Sequence, residues 1–157
     1  MLRYGALRSA LVLILFLTGC DRMWPAPSAP QPLPSPTDSW SLSLTQSGGI
    51  AGVSLKVQVS SDGQLSAEDH RSGRTVRQTL PPETVAHLAA IYSSGLLLTP
   101  QPRNSGCADC FIYNLEMSSG GRVVHIVADD TTMDSSGAGE LIRLLRLLRD
   151  NALKSQP

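Results

Sequence analysis

The sequence predicts an α+β fold: an antiparallel sheet of about four to six strands with two helices packed on one face, in the order strands, helix, hairpin, helix. Three observations lead there. Val53, Leu55, Val57 and Val59 alternate with Ser54, Lys56, Gln58 and Ser60, the period-two pattern of a half-buried strand. Val85, Leu88, Ala89 and Tyr92 fall at i, i+3, i+4 and i+7, the one-sided stripe of an amphipathic helix. Leu141, Leu144, Leu145 and Leu148 repeat that stripe near the C-terminal end. Segregated strands and helices favour an antiparallel sheet covered by helices over a βαβ-wound parallel one. With aromatic residues at only 4%, the core must be built mainly from Leu, Val, Ile and Ala.

The elements follow in order. Trp40, Leu42 and Leu44 alternate with Ser39, Ser41, Ser43 and Thr45 and open the sheet, and Ser47-Gly48-Gly49 is expected to break this strand. After the Val53–Ser60 strand, Asp62-Gly63 is a hairpin turn signal. Weaker strands are expected over Gln64–His70 and Thr75–Thr79, around a turn at Ser72-Gly73. Pro81-Pro82-Glu83 opens the first helix, since proline lacks a donor the first turn does not need and Glu83 suits the positive helix start. Gly95 is the expected C-cap, followed by a loop from Thr99 to about Ala108. Phe111, Tyr113, Leu115 and Met117 form one arm of a second hairpin, Ser119-Gly120-Gly121 its turn, and Arg122–Ala128 the returning arm. The last helix is expected from about Ser135 to Asn151, with Arg143, Arg146 and Arg149 on a solvated face away from the leucines.

The region before Trp40 reads as an address and a spacer. Arg3 and Arg8 precede the eight-residue apolar run Ala10–Leu17, a secretory signal too short to span a bilayer, which takes about 20 apolar residues. Leu17-Thr18-Gly19-Cys20 resembles the lipobox of bacterial lipoproteins, which implies cleavage after residue 19 and lipidation of Cys20. The expected divisions are therefore a signal peptide at 1–19, a lipidated cysteine with a tether at 20–38, and an α+β domain at 39–157. Pro25, Pro27, Pro30, Pro32, Pro34 and Pro36 favour an extended polyproline II tether. At ~3.1 Å per residue it would reach about 55 Å. A proline-rich ligand for a partner domain is the alternative. The expected location is the bacterial cell envelope, on the extracytoplasmic side of a membrane, held there through the anchor on Cys20.

Charge narrows the partners. The leader holds two of the 13 basic residues and none of the 13 acidic ones, so the remainder carries a net charge of −2. Without a basic excess, nothing suggests nucleic acid.

Motifs for common chemistries are missing. There is no His-Glu-x-x-His, Gly-x-Ser-x-Gly or phosphate loop. Asp129 and Asp130 stand where a strand ends and read as a turn. His87 reads as a helix-boundary residue, His125 as a satisfied sheet residue and His70 as a turn residue. Cys107-Ala108-Asp109-Cys110 leaves three readings open. A redox dithiol would have this spacing, usually at a helix start rather than before a strand. A metal site needs two further ligands. A short structural disulfide fits an oxidising compartment and is the favoured reading. No cofactor and no metal are expected.

Three stretches together carry a resemblance: Ser47-Gly48-Gly49-Ile50-Ala51-Gly52-Val53 between two strands, Leu80-Pro81-Pro82-Glu83 opening a helix that ends near Leu96-Leu97, and Asp109-Cys110-Phe111-Ile112-Tyr113 opening a strand ahead of a hairpin and a Leu-rich helix. Over about Trp40–Leu148 this arrangement resembles the emfourin family of small protein inhibitors of thermolysin-like metalloproteases. The glycine-rich segment is its most specific part. The resemblance implies a non-enzymatic domain whose residues 47–53 occlude a protease cleft. Physically, Gly48, Gly49 and Gly52 permit backbone shapes closed to other residues and a close approach by a partner; a turn or bulge between strands is the plainer role. The leader, the tether and the Cys107/Cys110 pair depart from the family pattern. The alternatives are a non-inhibitory envelope binding module, and a redox or metal protein using the two cysteines.

Overall fold

The computed structural model describes residues 39–94 and 106–155. The expected signal peptide, the expected lipidation site Cys20, the expected tether, the expected Gly95 cap and most of the following loop lie outside them. Six strands form one antiparallel sheet: β1 (Trp40–Gly48), β2 (Val53–Ser60), β3 (Gln64–Asp69), β4 (Arg74–Thr79), β5 (Phe111–Ser119) and β6 (Arg122–Asp129). Helix α1 (Pro82–Ser93) sits between β4 and β5, and α2 (Gly139–Ser155) follows β6. The fold is α+β, with sheet order β4-β3-β2-β1-β5-β6.

Sheet order follows from where apolar surface can be hidden. Leu42 and Leu44 of β1 are fully buried, so β1 needs a neighbour on each side, and it is flanked by β2 and β5. Every second residue of the strands contributes to one core: Val57 and Val59, Leu65 and Ala67, Val76, then Tyr113, Leu115, Met117, Ile126 and Ala128. Leu88 and Tyr92 from α1 and Leu141, Ile142, Leu145 and Ala152 from α2 complete it. The rings of Trp40 and Tyr92 meet at 6.5 Å between centroids, joining the start of the sheet to α1.

The structure corrects several sequence expectations. β1 continues through Ser47 and Gly48, which pair with Ser54 and Val53 on one side and Ile112 and Phe111 on the other. Neighbours on both sides carry the ladder past the glycine signal. Ser119 belongs to β5 and is buried, so the second hairpin turns on Gly120 and Gly121. α2 starts at Gly139 rather than near Ser135, because 134–136 form a separate 3-10 turn; there Ser136 donates its hydroxyl to the Met133 carbonyl (2.6 Å) and accepts the Ala138 N–H (3.1 Å).

The largest correction concerns the arginines of α2. Arg149 is 2% exposed rather than solvated. The buried stripe runs through Leu141, Ile142, Leu145, Arg149 and Ala152, while Leu144 and Leu148 are only half-buried. Position 149 is one turn beyond Leu145, and an arginine can serve there because its three methylenes pack like an aliphatic chain. Its guanidinium reaches the Asp150 carboxylate (Nε to Oδ1, 2.8 Å), half-exposed beside it. Arg146 is also drawn inward, its guanidinium 5.1 Å from the centroid of the Tyr113 ring.

Candidate functional site

The glycine-rich segment forms the tip of the β1–β2 hairpin. Gly49, Ile50, Ala51 and Gly52 make a turn closed by the Gly52 N–H donating to the Gly49 carbonyl (3.0 Å). Ser47, Gly48 and Val53 are half-buried in the ladder below it. At the top, Ile50 is 92% exposed, the most exposed large hydrophobic side chain among the described residues. An isoleucine held almost wholly in water on a short turn contributes nothing to the core.

Three neighbours brace this tip. On the β5 side, Gly49 donates its N–H to the Cys110 carbonyl (3.3 Å). Close packing explains both glycines there. A Cβ on Gly48 would stand 2.8 Å from the Cys110 carbonyl oxygen, and one on Gly49 would stand 2.7 Å from Cε1 of Phe111. On the β2 side, Arg71, in the turn after β3, donates to the Ala51 carbonyl (3.4 Å). That turn is tied in its own right: the Asp69 carboxylate accepts the Ser72 hydroxyl (2.8 Å) and the Arg71 N–H (2.9 Å). The Ser72 hydroxyl is the main cause that holds the Asp69 carboxyl below its usual range.

The third brace is the cysteine loop. The sulfurs of Cys107 and Cys110 lie at bonding distance, 1.99 Å, with Cα atoms 5.5 Å apart. Of the three readings open for this pair, this geometry is consistent with the disulfide. The bond limits the freedom of the chain that presents the Cys110 carbonyl to Gly49. Residues 106–109 are exposed beside the hairpin tip, so the two segments form one composite surface.

Below this surface a polar network fixes the start of β5. Asp130, just past β6, accepts the Phe111 N–H (2.8 Å) on one carboxylate oxygen and the Tyr113 hydroxyl (2.7 Å) on the other. Asp129 folds the turn after β6, accepting the N–H and hydroxyl groups of Thr131 and Thr132 at 2.7–3.0 Å. Burial and the Asp130 carboxylate push the Tyr113 phenol up to about 12, against the pull of Arg146 and Arg149. Because the folded-state value lies above the ordinary value of about 10, this neutral phenol stabilises the fold fully below pH ~10 and progressively less between ~10 and ~12. Replacing Tyr113 with Phe is therefore expected to flatten the alkaline fall in stability over that window, as read by denaturant unfolding at stepped pH.

The histidines are kept apart. His70 lies in the β3–β4 turn, 3.7 Å from Glu68; His87 is exposed on α1; His125 lies on β6, 3.6 Å from Glu116. Among the described residues no three His, Cys, Asp or Glu side chains gather as metal ligands, and no helix is long and apolar enough to cross a membrane.

Sequence reasoning singled out residues 47–53 and the two cysteines but not their adjacency. It also missed Arg71, the packing of Phe111 against Gly49 and the Asp130–Tyr113 pair. Only the tyrosine hydroxyl in a core position of β5 hinted that a polar partner lay nearby. No protein-family model matches this chain, and no curated protein matches it either.

Proposed function

We propose that this chain is a lipid-anchored, extracytoplasmic protein inhibitor of a thermolysin-like metalloprotease, and that the β1–β2 hairpin enters the protease cleft with Ile50 leading. The observation that carries this reading is the hairpin tip: an apolar side chain 92% exposed on a turn braced from both sides. Bracing favours inhibition because a loop already held in its bound shape loses little entropy on docking. An apolar side chain that passes from water into a pocket supplies the favourable term. The likeness of residues 47–53 to the emfourin segment directs the choice of target. In this reading both helices lie over one face of the sheet, away from the tip, and Cys20 holds the domain near the membrane surface.

The test is a titration of the chain into thermolysin-like proteases with a peptide substrate. Stoichiometric loss of proteolysis with a micromolar or tighter constant is expected. Full activity at micromolar excess across several such proteases overturns the proposal.

A second reading, a non-inhibitory binding module, has one observation in its favour. The opposite end of the sheet carries a depression of about 400 Å³ whose lining includes Ser41, Gln58, Ser60, Gln64, Ser66 and Arg77. Val59 and Leu65 complete its lining, so hydroxyls, amides and one cation beside an apolar floor suit a small amphipathic anionic ligand. Retained inhibition after Arg77→Ala would separate that surface from the hairpin.

A further inference from the structure

The outer edge of β6 offers a docking surface of a different kind. We infer that β6 pairs antiparallel with β6 of a second copy, in register about His125, so that two sheets join edge to edge in a two-fold symmetric dimer.

The direction of the main-chain bonds leaves one row of β6 open. In an antiparallel ladder, successive residues alternate between bonding one neighbour and the other. Ser61 donates its N–H to the Trp40 carbonyl (2.9 Å), which assigns the even-numbered residues of β1 to β2 and the odd-numbered ones to β5. By the β1–β5 register, the even residues of β5 answer β1, and its odd residues face β6. The Phe111 N–H agrees, since it turns to the β6 side and meets Asp130. The even residues of β6 then answer β5, leaving Val123, His125, Val127 and Asp129 with outward N–H and C=O groups. The Asp129 N–H is taken within the chain by the Thr132 hydroxyl (2.9 Å). Val123, His125 and Val127 remain as an open row, and among the described residues no strand pairs with it.

This edge lacks the usual protections. Exposed edges are normally blunted by lysine, proline, bulges or shortness. β6 has no Lys or Pro, runs eight residues without a bulge, and exposes Val123 (52%) and Val127 (38%). The other edge strand, β4, is six residues long and sets Arg77 at the centre of its outward row of Thr75, Arg77 and Thr79.

The symmetry of the open row selects a second copy as occupant. A two-fold axis through His125, perpendicular to the sheet, sets Val123 against Val127 of the second copy, His125 against His125, and Val127 against Val123. Each pair exchanges two main-chain hydrogen bonds, and valine meets valine on the same face. A shift by two residues in one direction sets Gly121 against Val127; in the other it sets the already occupied Asp129 against Val123. All these registers are two-fold symmetric, but the one centred on His125 alone pairs all three open residues with one another. A closed two-fold contact of this kind ends at the dimer and does not propagate into fibres. One strand edge buries less than the ~1,200 Å² of standard stable interfaces, so a reversible dimer with a micromolar constant follows.

Sedimentation equilibrium of the full chain in density-matched detergent tests this. The protein mass is expected to rise from monomer to dimer across the micromolar range. His125→Pro removes an outward N–H that the β5 ladder does not use, at an edge position where proline is tolerated. Val127→Lys places a charge in the row and serves if the proline variant fails to fold. Both are expected to remain monomeric, with Val127→Lys keeping its circular dichroism and melting temperature. A wild-type chain that stays monomeric throughout, or a dimer that survives Val127→Lys unchanged, overturns the inference.

Discussion

Ile50→Asp is expected to weaken inhibition of a thermolysin-like protease by about 100-fold or more while leaving the unfolding temperature unchanged. The first half follows from transfer energies. Burying an isoleucine side chain in a partner contributes about 1.5–3 kcal/mol, which the substitution removes. Placing a carboxylate in the same apolar pocket adds a desolvation cost of at least comparable size. Since 1.4 kcal/mol is a factor of ten, the two together exceed 100-fold. The second half follows from the position of Ile50, which is 92% exposed and outside the core. The measurement is a pair: the inhibition constant by substrate competition, and the melting curve by circular dichroism. A variant that inhibits as well as the parent removes the hairpin tip from the mechanism. A variant that melts well below the parent would mean that Ile50 supports the fold, against its exposure.

The parts of this fold that were legible are the ones encoded by neighbours in sequence. Alternation in Val53–Ser60 marks a strand because its two faces meet different solvents, and Asp62-Gly63 marks a hairpin because its twist needs a permissive residue. The sheet order was not legible. β1 and β5 are separated by more than 60 residues, and nothing local to either announces their pairing. Their pairing is what brings the Cys110 carbonyl to Gly49, so the adjacency of the disulfide to the glycine-rich segment was hidden with it. Arg149 illustrates a second limit. A polar-apolar code assigns arginine to water, but a side chain with a long aliphatic stem can fill a core position when an acid at its end receives the charge, as Asp150 does. The same code could not rank Ile50, because an isolated apolar residue among glycines has no period from which burial can be read.

Gly48 and Gly52 lie in the same hairpin at similarly positive φ, +95° and +59°, yet alanine at the two sites should have unequal effects. At Gly52 an added Cβ meets nothing within 4 Å, so the cost is only that of holding an L-residue in the left-handed region, about 1–2 kcal/mol. At Gly48 the same conformational cost applies, and the Cβ also stands 2.8 Å from the Cys110 carbonyl oxygen. That oxygen is main chain, accepts the Gly49 N–H and belongs to the disulfide loop, so it cannot simply rotate away. The strand must open, and the expected loss for Gly48→Ala is about 3 kcal/mol or more, in the range of overpacked sites. Denaturant unfolding of both variants reads the difference directly. Equal losses would mean that β1 and β5 separate at this end without penalty and that the disulfide loop does not brace the hairpin. Unequal losses assign Gly48 to the close approach of the two strands. Gly52→Ala then becomes the variant in which inhibition can be measured on a folded domain with an altered tip.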